Sequence, residues 1–391
     1  MTIYDRFGVP TVINGCGTVT RLSGGRMHPE VAAAMVDASG ECVDMVALQA
    51  GACRVIARIT GAQAGIVTSG ASASILLGAA ACLAGLDPAR MNRLPEAADG
   101  RNEFIVVRSQ RNMYDRAVQV AGGRIVEVGI PDRYSGPGVR DAAAWEVAAA
   151  VTANTAGIYY LAHPQSLPKL PDIAAVAREH GLPLLVDAAA QLPPADNLRR
   201  FLEQGADLVA FSGGKAIGGP QASGILCGRA DLVASALLQM LDLDVFPDLW
   251  QAPEEFAALR QLPGLPQHGI GRSCKVGKEE IVGLLVALER FAAVDEEARR
   301  NAWREILERI VAAAGQVAGM TLRIVDRHVP LLEVTCDDAA VLAGRLAAGT
   351  PPIACSLARR DDNVLLFSPV ALAPEDAAVI GRRLLQARDV T

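Results

Sequence analysis

The sequence predicts an α/β protein built on one large, mostly parallel sheet, and three observations carry that prediction. Through the middle of the chain, β-rich apolar runs alternate with alanine- and leucine-rich helical stretches, the signature of βαβ units. The runs at 65–68, 104–108, 125–128, 157–161, 184–187, 208–211 and 224–227 supply seven strands for a single sheet. Helical stretches such as 72–83 and 171–179 lie between them, so both faces of the sheet are covered.

In chain order, a short N-terminal arm comes first, and Pro171 opens its helix at the first turn, where its missing N–H costs nothing. From Phe246 to Pro266 the composition turns to proline-punctuated segments. A long helical stretch at 279–314 follows, and a domain boundary is expected within it. Beyond it, strands near 322–325 and 331–335, a turn at Asp361-Asp362-Asn363 and a last helix from Pro374 outline a small α/β domain. The expected division is an N-terminal arm with helices at 1–60, a large domain at 61–285 and a small C-terminal domain at 286–391.

With 391 residues, 51% of them hydrophobic, the chain buries a large core. A formal charge of −6 gives no basic footprint for nucleic acid, so a small-molecule substrate is expected. Eight cysteines are scattered among apolar residues with no Cys-x-x-Cys pair, which reads as reduced thiols in a cytoplasmic protein. No leader pattern and no apolar stretch of membrane-spanning length is present. His28, His180, His268 and His328 stand apart from other ligand types, so no metal site is expected.

The chemistry concentrates after the sixth run. Phe211-Ser212-Gly213-Gly214-Lys215-Ala216-Ile217-Gly218-Gly219-Pro220-Gln221 puts a lysine in a glycine-rich turn directly beyond a strand, where an amine can form a Schiff base with a carbonyl cofactor. A solvated loop lysine is the competing reading. Leu184-Leu185-Val186-Asp187 is an apolar strand ending in one acid, at the edge where doubly wound sheets bind ligands. Asp187 there can pair with a pyridinium nitrogen; otherwise it caps the next helix. Thr68-Ser69-Gly70-Ala71-Ser72 leads from strand to helix and suits a phosphate, or forms an ordinary N-cap. Acid, lysine and phosphate turn together describe pyridoxal 5'-phosphate.

These residues resemble the fold-type I pyridoxal-phosphate enzymes, and more narrowly the selenocysteine synthase (L-seryl-tRNA selenium transferase) family with its ammonia-lyase relatives. The supporting segments are Thr11 to Gly17, Thr68 to Ala73, Val186-Asp187-Ala188-Ala189, Ser212 to Gln221 and Gly271-Arg272-Ser273-Cys274-Lys275-Val276-Gly277-Lys278. The resemblance implies that Lys215 holds the cofactor as an internal aldimine, that Asp187 pairs with the ring nitrogen, and that Ser69, Gly70, Ala71, Ser72 and Ser212 lie near the phosphate. It places Gln110 where relatives stack a residue on the ring, an ordinary loop glutamine being the alternative. It also implies a homodimer or higher homo-oligomer, with Gly218 and Gly219 beside the cofactor and near the partner.

Two departures turn the expectation away from selenium transfer. The Ile13-Asn14-Gly15 motif comes almost at once, leaving no room for a tRNA-binding domain before it, and Lys275 stands where the transferase tends to have arginine. The pattern is closer to proteins like D-glucosaminate-6-phosphate ammonia lyase. The expected reaction is α,β-elimination with ammonia release from a small hydroxy amino acid or amino sugar acid; the alternatives are an aldolase, a racemase or a β-replacement enzyme. Arg272 is the first candidate for the substrate carboxylate, with Lys275, Lys278, Arg21 and Arg26 as further anion contacts, each with a surface reading beside it. His163, after the fourth run, is a candidate acid for the leaving hydroxyl.

Overall fold

The computed structural model describes residues 2–97, 100–130 and 142–387. The chain divides into two compact units, His28–Phe291 and Met1–Met27 with Ala292–Thr391. In the larger unit seven strands form one sheet: β1 (Ala64–Thr68), β2 (Glu103–Val107), β3 (Arg124–Val128), β4 (Thr155–Leu161), β5 (Leu184–Asp187), β6 (Leu208–Ser212) and β7 (Gly224–Gly228). Their order across the sheet is β1-β7-β6-β5-β4-β2-β3. Pairings from β6 to β3 are parallel, and β7 runs antiparallel to both its neighbours. The architecture is the expected one, α/β with a mostly parallel seven-stranded sheet.

Strands β1, β2 and β7 are buried at every position, as expected for strands covered on both faces. The edge strand β3 differs. Its Arg124 pairs with Glu103, and its Glu127 with Arg108 at 2.8 Å and with Arg111, so charge blunts the exposed edge. The helix Ala71–Ala84 is buried almost all round, which explains why its sequence has no polar face.

The smaller unit holds a four-stranded antiparallel sheet, ordered Ser356–Arg359, Val364–Phe367, Leu331–Thr335, Thr321–Val325. The helices Glu296–Ala314 and Pro374–Gln386 share its core with Leu332, Val334 and Phe367. Residues 1–27 do not form a block with the helices that follow. Ile13–Asn14 pairs in parallel with Ile353–Ala354, and Ile13 is buried in that same core. The helices Pro29–Ser39 and Met45–Thr60 belong to the larger unit. The stretch read as one long helix is two, Lys278–Ala293 and Glu296–Ala314, because Asp295 adopts extended backbone and caps the second, accepting from Ala298 N at 2.9 Å. Among the described residues no helix is long and apolar enough to cross a membrane.

Candidate functional site

The carboxyl ends of the parallel strands gather the candidate residues at one edge of the sheet. There β5 ends in Asp187, β6 leads through Ser212 into Gly213-Gly214-Lys215, β1 leads into Ser69 and Gly70, β2 into Gln110, and β4 into His163. Register brings Leu161 beside Asp187 and Asp187 beside Ala210. A crevice beyond such strand ends is where doubly wound sheets take their ligands.

Asp187 is 3% exposed, and each carboxylate oxygen has one protein donor: the Ala189 amide to Oδ1 at 3.0 Å and the Tyr159 hydroxyl to Oδ2 at 3.0 Å. Burial pushes its carboxyl up from the ordinary value, while the Ala189 amide, the Tyr159 hydroxyl and the Lys215 cation pull it back down. Lys215 is half-buried; burial pushes its amine down and Asp187 works against that shift. A lowered amine holds more of its neutral, nucleophilic form at neutral pH, as a Schiff-base lysine needs. The turn carrying it is closed by Gly213 N to Ser223 O at 2.9 Å, Gly218 N to Lys215 O and Gly219 N to Gly213 O, both at 3.0 Å. Gly218 sits at φ +77°, where a side chain would be strained.

At the end of β1, the buried Thr68 hydroxyl bonds Gly70 O at 3.0 Å and Ser74 Oγ at 2.8 Å, setting the turn before Ala71–Ala84. The first amides of a helix have no intrahelical acceptor, and this helix starts at the same sheet edge as Lys215. Gly224, at the start of β7, lets the two loops approach, since a Cβ there would lie 2.5 Å from the Gly70 carbonyl carbon and 2.7 Å from Ala71 N. Gly224→Ala is therefore expected to destabilise the fold by roughly 1–3 kcal/mol. Thermal unfolding of the variant measures this, and an unchanged melting temperature would refute it. The residues fit pyridoxal phosphate: a buried acid for a cationic ring nitrogen, an amine for the aldehyde and a helix start for the phosphate.

The remaining candidates fall into several places. Gln110 is buried, its side-chain oxygen accepting from Leu161 N at 3.0 Å, which ties the ends of β2 and β4 together. The His163 Nδ1 accepts from Gln165 N at 3.2 Å, leaving Nε2 as the nitrogen able to carry the proton of the neutral ring. The Ser69 hydroxyl donates to Cys274 O at 3.0 Å, joining the turn after β1 to the short helix Ile270–Cys274 that carries Arg272. Arg272 Nη2 meets Asp242 Oδ2 at 2.7 Å, Lys275 is exposed and Lys278 pairs with Glu279. Arg21 and Arg26 belong to the other unit, where Arg26 pairs with Glu375 at 3.1 Å and Asp376 at 3.2 Å.

Tyr159, Asn112 and Asp242 were not anticipated. Asn112, two residues past Gln110, is among the groups acting on the Tyr159 phenol, opposing the upward push of burial. Tyr159 in Gly157-Ile158-Tyr159-Tyr160 reads as core, and no local pattern marks its hydroxyl. Asp242 lies in an acidic, exposed stretch that resembles any solvated loop.

Comparison with known proteins places this geometry among relatives. A model of the family described as L-seryl-tRNA selenium transferase matches residues 12–244. A 5'-C-glycyluridine monooxygenase-decarboxylase from Streptomyces sp is 32% identical, over 97% of this chain and 90% of that protein. The D-glucosaminate-6-phosphate ammonia lyase of Salmonella typhimurium is 28% identical, over 98% and 96%. A solved D-glucosaminate-6-phosphate ammonia-lyase structure superposes with a TM-score of 0.80 at 27% identity, covering 100% of this chain and 98% of the other.

Proposed function

The chain belongs to the L-seryl-tRNA selenium transferase family, and we propose that it is a pyridoxal 5'-phosphate-dependent lyase releasing ammonia by α,β-elimination from a hydroxy amino acid or amino sugar acid. The observation that carries this reading is the buried Asp187 and the half-buried Lys215 at adjacent strand ends, in a fold shared over its full length with an ammonia lyase. When bound, the cofactor withdraws electrons from the substrate α-carbon. Asp187 holds the proton on the ring nitrogen. Lys215 Nζ, kept partly neutral by burial, takes the α-proton. Arg272 receives the substrate carboxylate by exchanging it for Asp242; Lys215 passes the proton it has taken to the departing hydroxyl, to which His163 Nε2–H donates a hydrogen bond. Lys275 and Lys278 bear on an acidic tail. The enzyme works in the cytoplasm as a homodimer or higher homo-oligomer.

Full-length similarity at 32% to a monooxygenase-decarboxylase supports a second reading, in which the carboxylate is lost and oxygen consumed at the same α-carbon. Both relatives' names describe an amino group or glycyl unit on a sugar skeleton, which favours substrates of that kind over simple amino acids. One experiment separates the readings. The holoenzyme is offered D- and L-β-hydroxy amino acids and amino sugar acids with oxygen excluded, and ammonia and 2-oxo acid are expected in equal amounts. Turnover only with oxygen, with release of carbon dioxide, would select the second reading, and glycine plus an aldehyde would mean retro-aldol cleavage.

A further inference from the structure

We infer that Tyr159 is a positioning residue for the cofactor's ring nitrogen, acting through Asp187: its hydroxyl donates to Asp187 Oδ2 from a wholly buried place on the neighbouring strand and holds that carboxylate oriented and ionised. The inference rests on the assignment of Asp187 made above. Tyr159 stands beside Leu185 in the β4–β5 register, two residues before Asp187, so the two side chains are diagonal neighbours on one face of the sheet. An aromatic residue chosen only to fill a core would be phenylalanine; a buried hydroxyl persists where it has a partner. Here the partner is Asp187.

Satisfaction of the carboxylate supports this role. Among the described residues each oxygen of Asp187 accepts one protein hydrogen bond, and the lone pairs left over are available to a cationic ring nitrogen. The charged groups acting on this centre are Asp187 and Lys215 at the site and Asp115 behind Tyr159, itself paired with Arg111. Burial, then the negative charge of Asp187, push the phenol well above its ordinary range, so it remains a donor at every working pH. Burial pushes the Asp187 carboxyl up, and the Tyr159 hydroxyl is among the groups opposing that shift.

Tyr159→Phe keeps the ring and removes the donor. Pyridoxal phosphate is expected to bind the variant about tenfold or more weakly, the scale of a hydrogen bond to a charged group. The pH at which the bound cofactor's absorbance changes should shift, and kcat should fall with KM little changed. Because Tyr159 acts through the charge on Asp187, adding Tyr159→Phe to Asp187→Asn should cost nothing further. Wild-type affinity and absorbance in the single variant, or a full additional loss in the double variant, would overturn the inference. If the single variant does not fold, the double variant should recover the fold, since the uncompensated charge has gone; equal instability of the two overturns it. Wild-type cofactor affinity in Asp187→Asn alone would overturn the assignment of Asp187 and this inference with it.

Discussion

Replacing Lys215 with alanine is expected to remove the visible absorbance of the lysine-bound cofactor and to reduce turnover below about 10⁻⁴ of wild type, the upper end of what loss of a general base costs. On the proposed assignment two functions disappear together, since the same nitrogen would bind the cofactor aldehyde and take the α-proton. Lys215→Arg separates charge from nucleophilicity: the guanidinium keeps the positive charge opposite Asp187 but stays protonated, so it should be as inactive as alanine. A Lys215→Ala protein with an unchanged cofactor spectrum would end the assignment. The half-buried setting of Lys215 limits the structural damage, and the fold should melt near the wild-type temperature once both proteins are stripped of cofactor.

Asp187→Asn is expected to lower kcat on the order of 10²- to 10³-fold, the scale of losing one fixed electrostatic partner of the reacting system. Its effect on stability runs the other way. Burial raises the Asp187 carboxyl above its ordinary value of 3.8, so the folded chain holds that proton to higher pH than the unfolded chain. The stability associated with the protonated form is fully present below about 3.8 and is lost as pH rises through the raised folded value. In cofactor-free protein, the asparagine variant should therefore match wild type at low pH and melt higher than wild type above that window. Adding pyridoxal phosphate should raise the melting temperature of wild type more than that of the variant. A variant less stable than wild type at every pH would mean that Asp187 serves the fold rather than the cofactor.

Much of this site was legible before any coordinates. Apolar runs of four or five residues separated by helical stretches predicted all seven strands, each within a residue or two of its observed end. Asp187 and Lys215 were visible because a lone acid at the end of an apolar strand, and a lysine inside Gly-Gly-Lys, break local pattern without a local reason. Local pattern was less informative where it continued unbroken. The 279–314 stretch keeps helical periodicity through Val294-Asp295, and only the capping geometry of Asp295 shows the break. The N-terminal arm carries no mark that it pairs with residues some 340 positions later, at Ile353–Ala354.

The sequence by itself determined the fold class, the strand ends and the residue types presented there, because periodicity, turn chemistry and helix starts are properties of neighbouring residues. Tertiary structure decided which side chains those residues meet. Tyr159 meets Asp187 because β4 lies next to β5 in a register that pairs Tyr159 with Leu185. Gly224 is obligatory because β7 runs back antiparallel between β1 and β6, carrying its first residue against the backbone of Gly70 and Ala71. Arg272 faces Asp242 because the Ile270–Cys274 helix is held to Ser69 through its last carbonyl. Such contacts depend on strand order, register and close approach between segments far apart in the chain, where a shift of one residue turns a side chain to the opposite face.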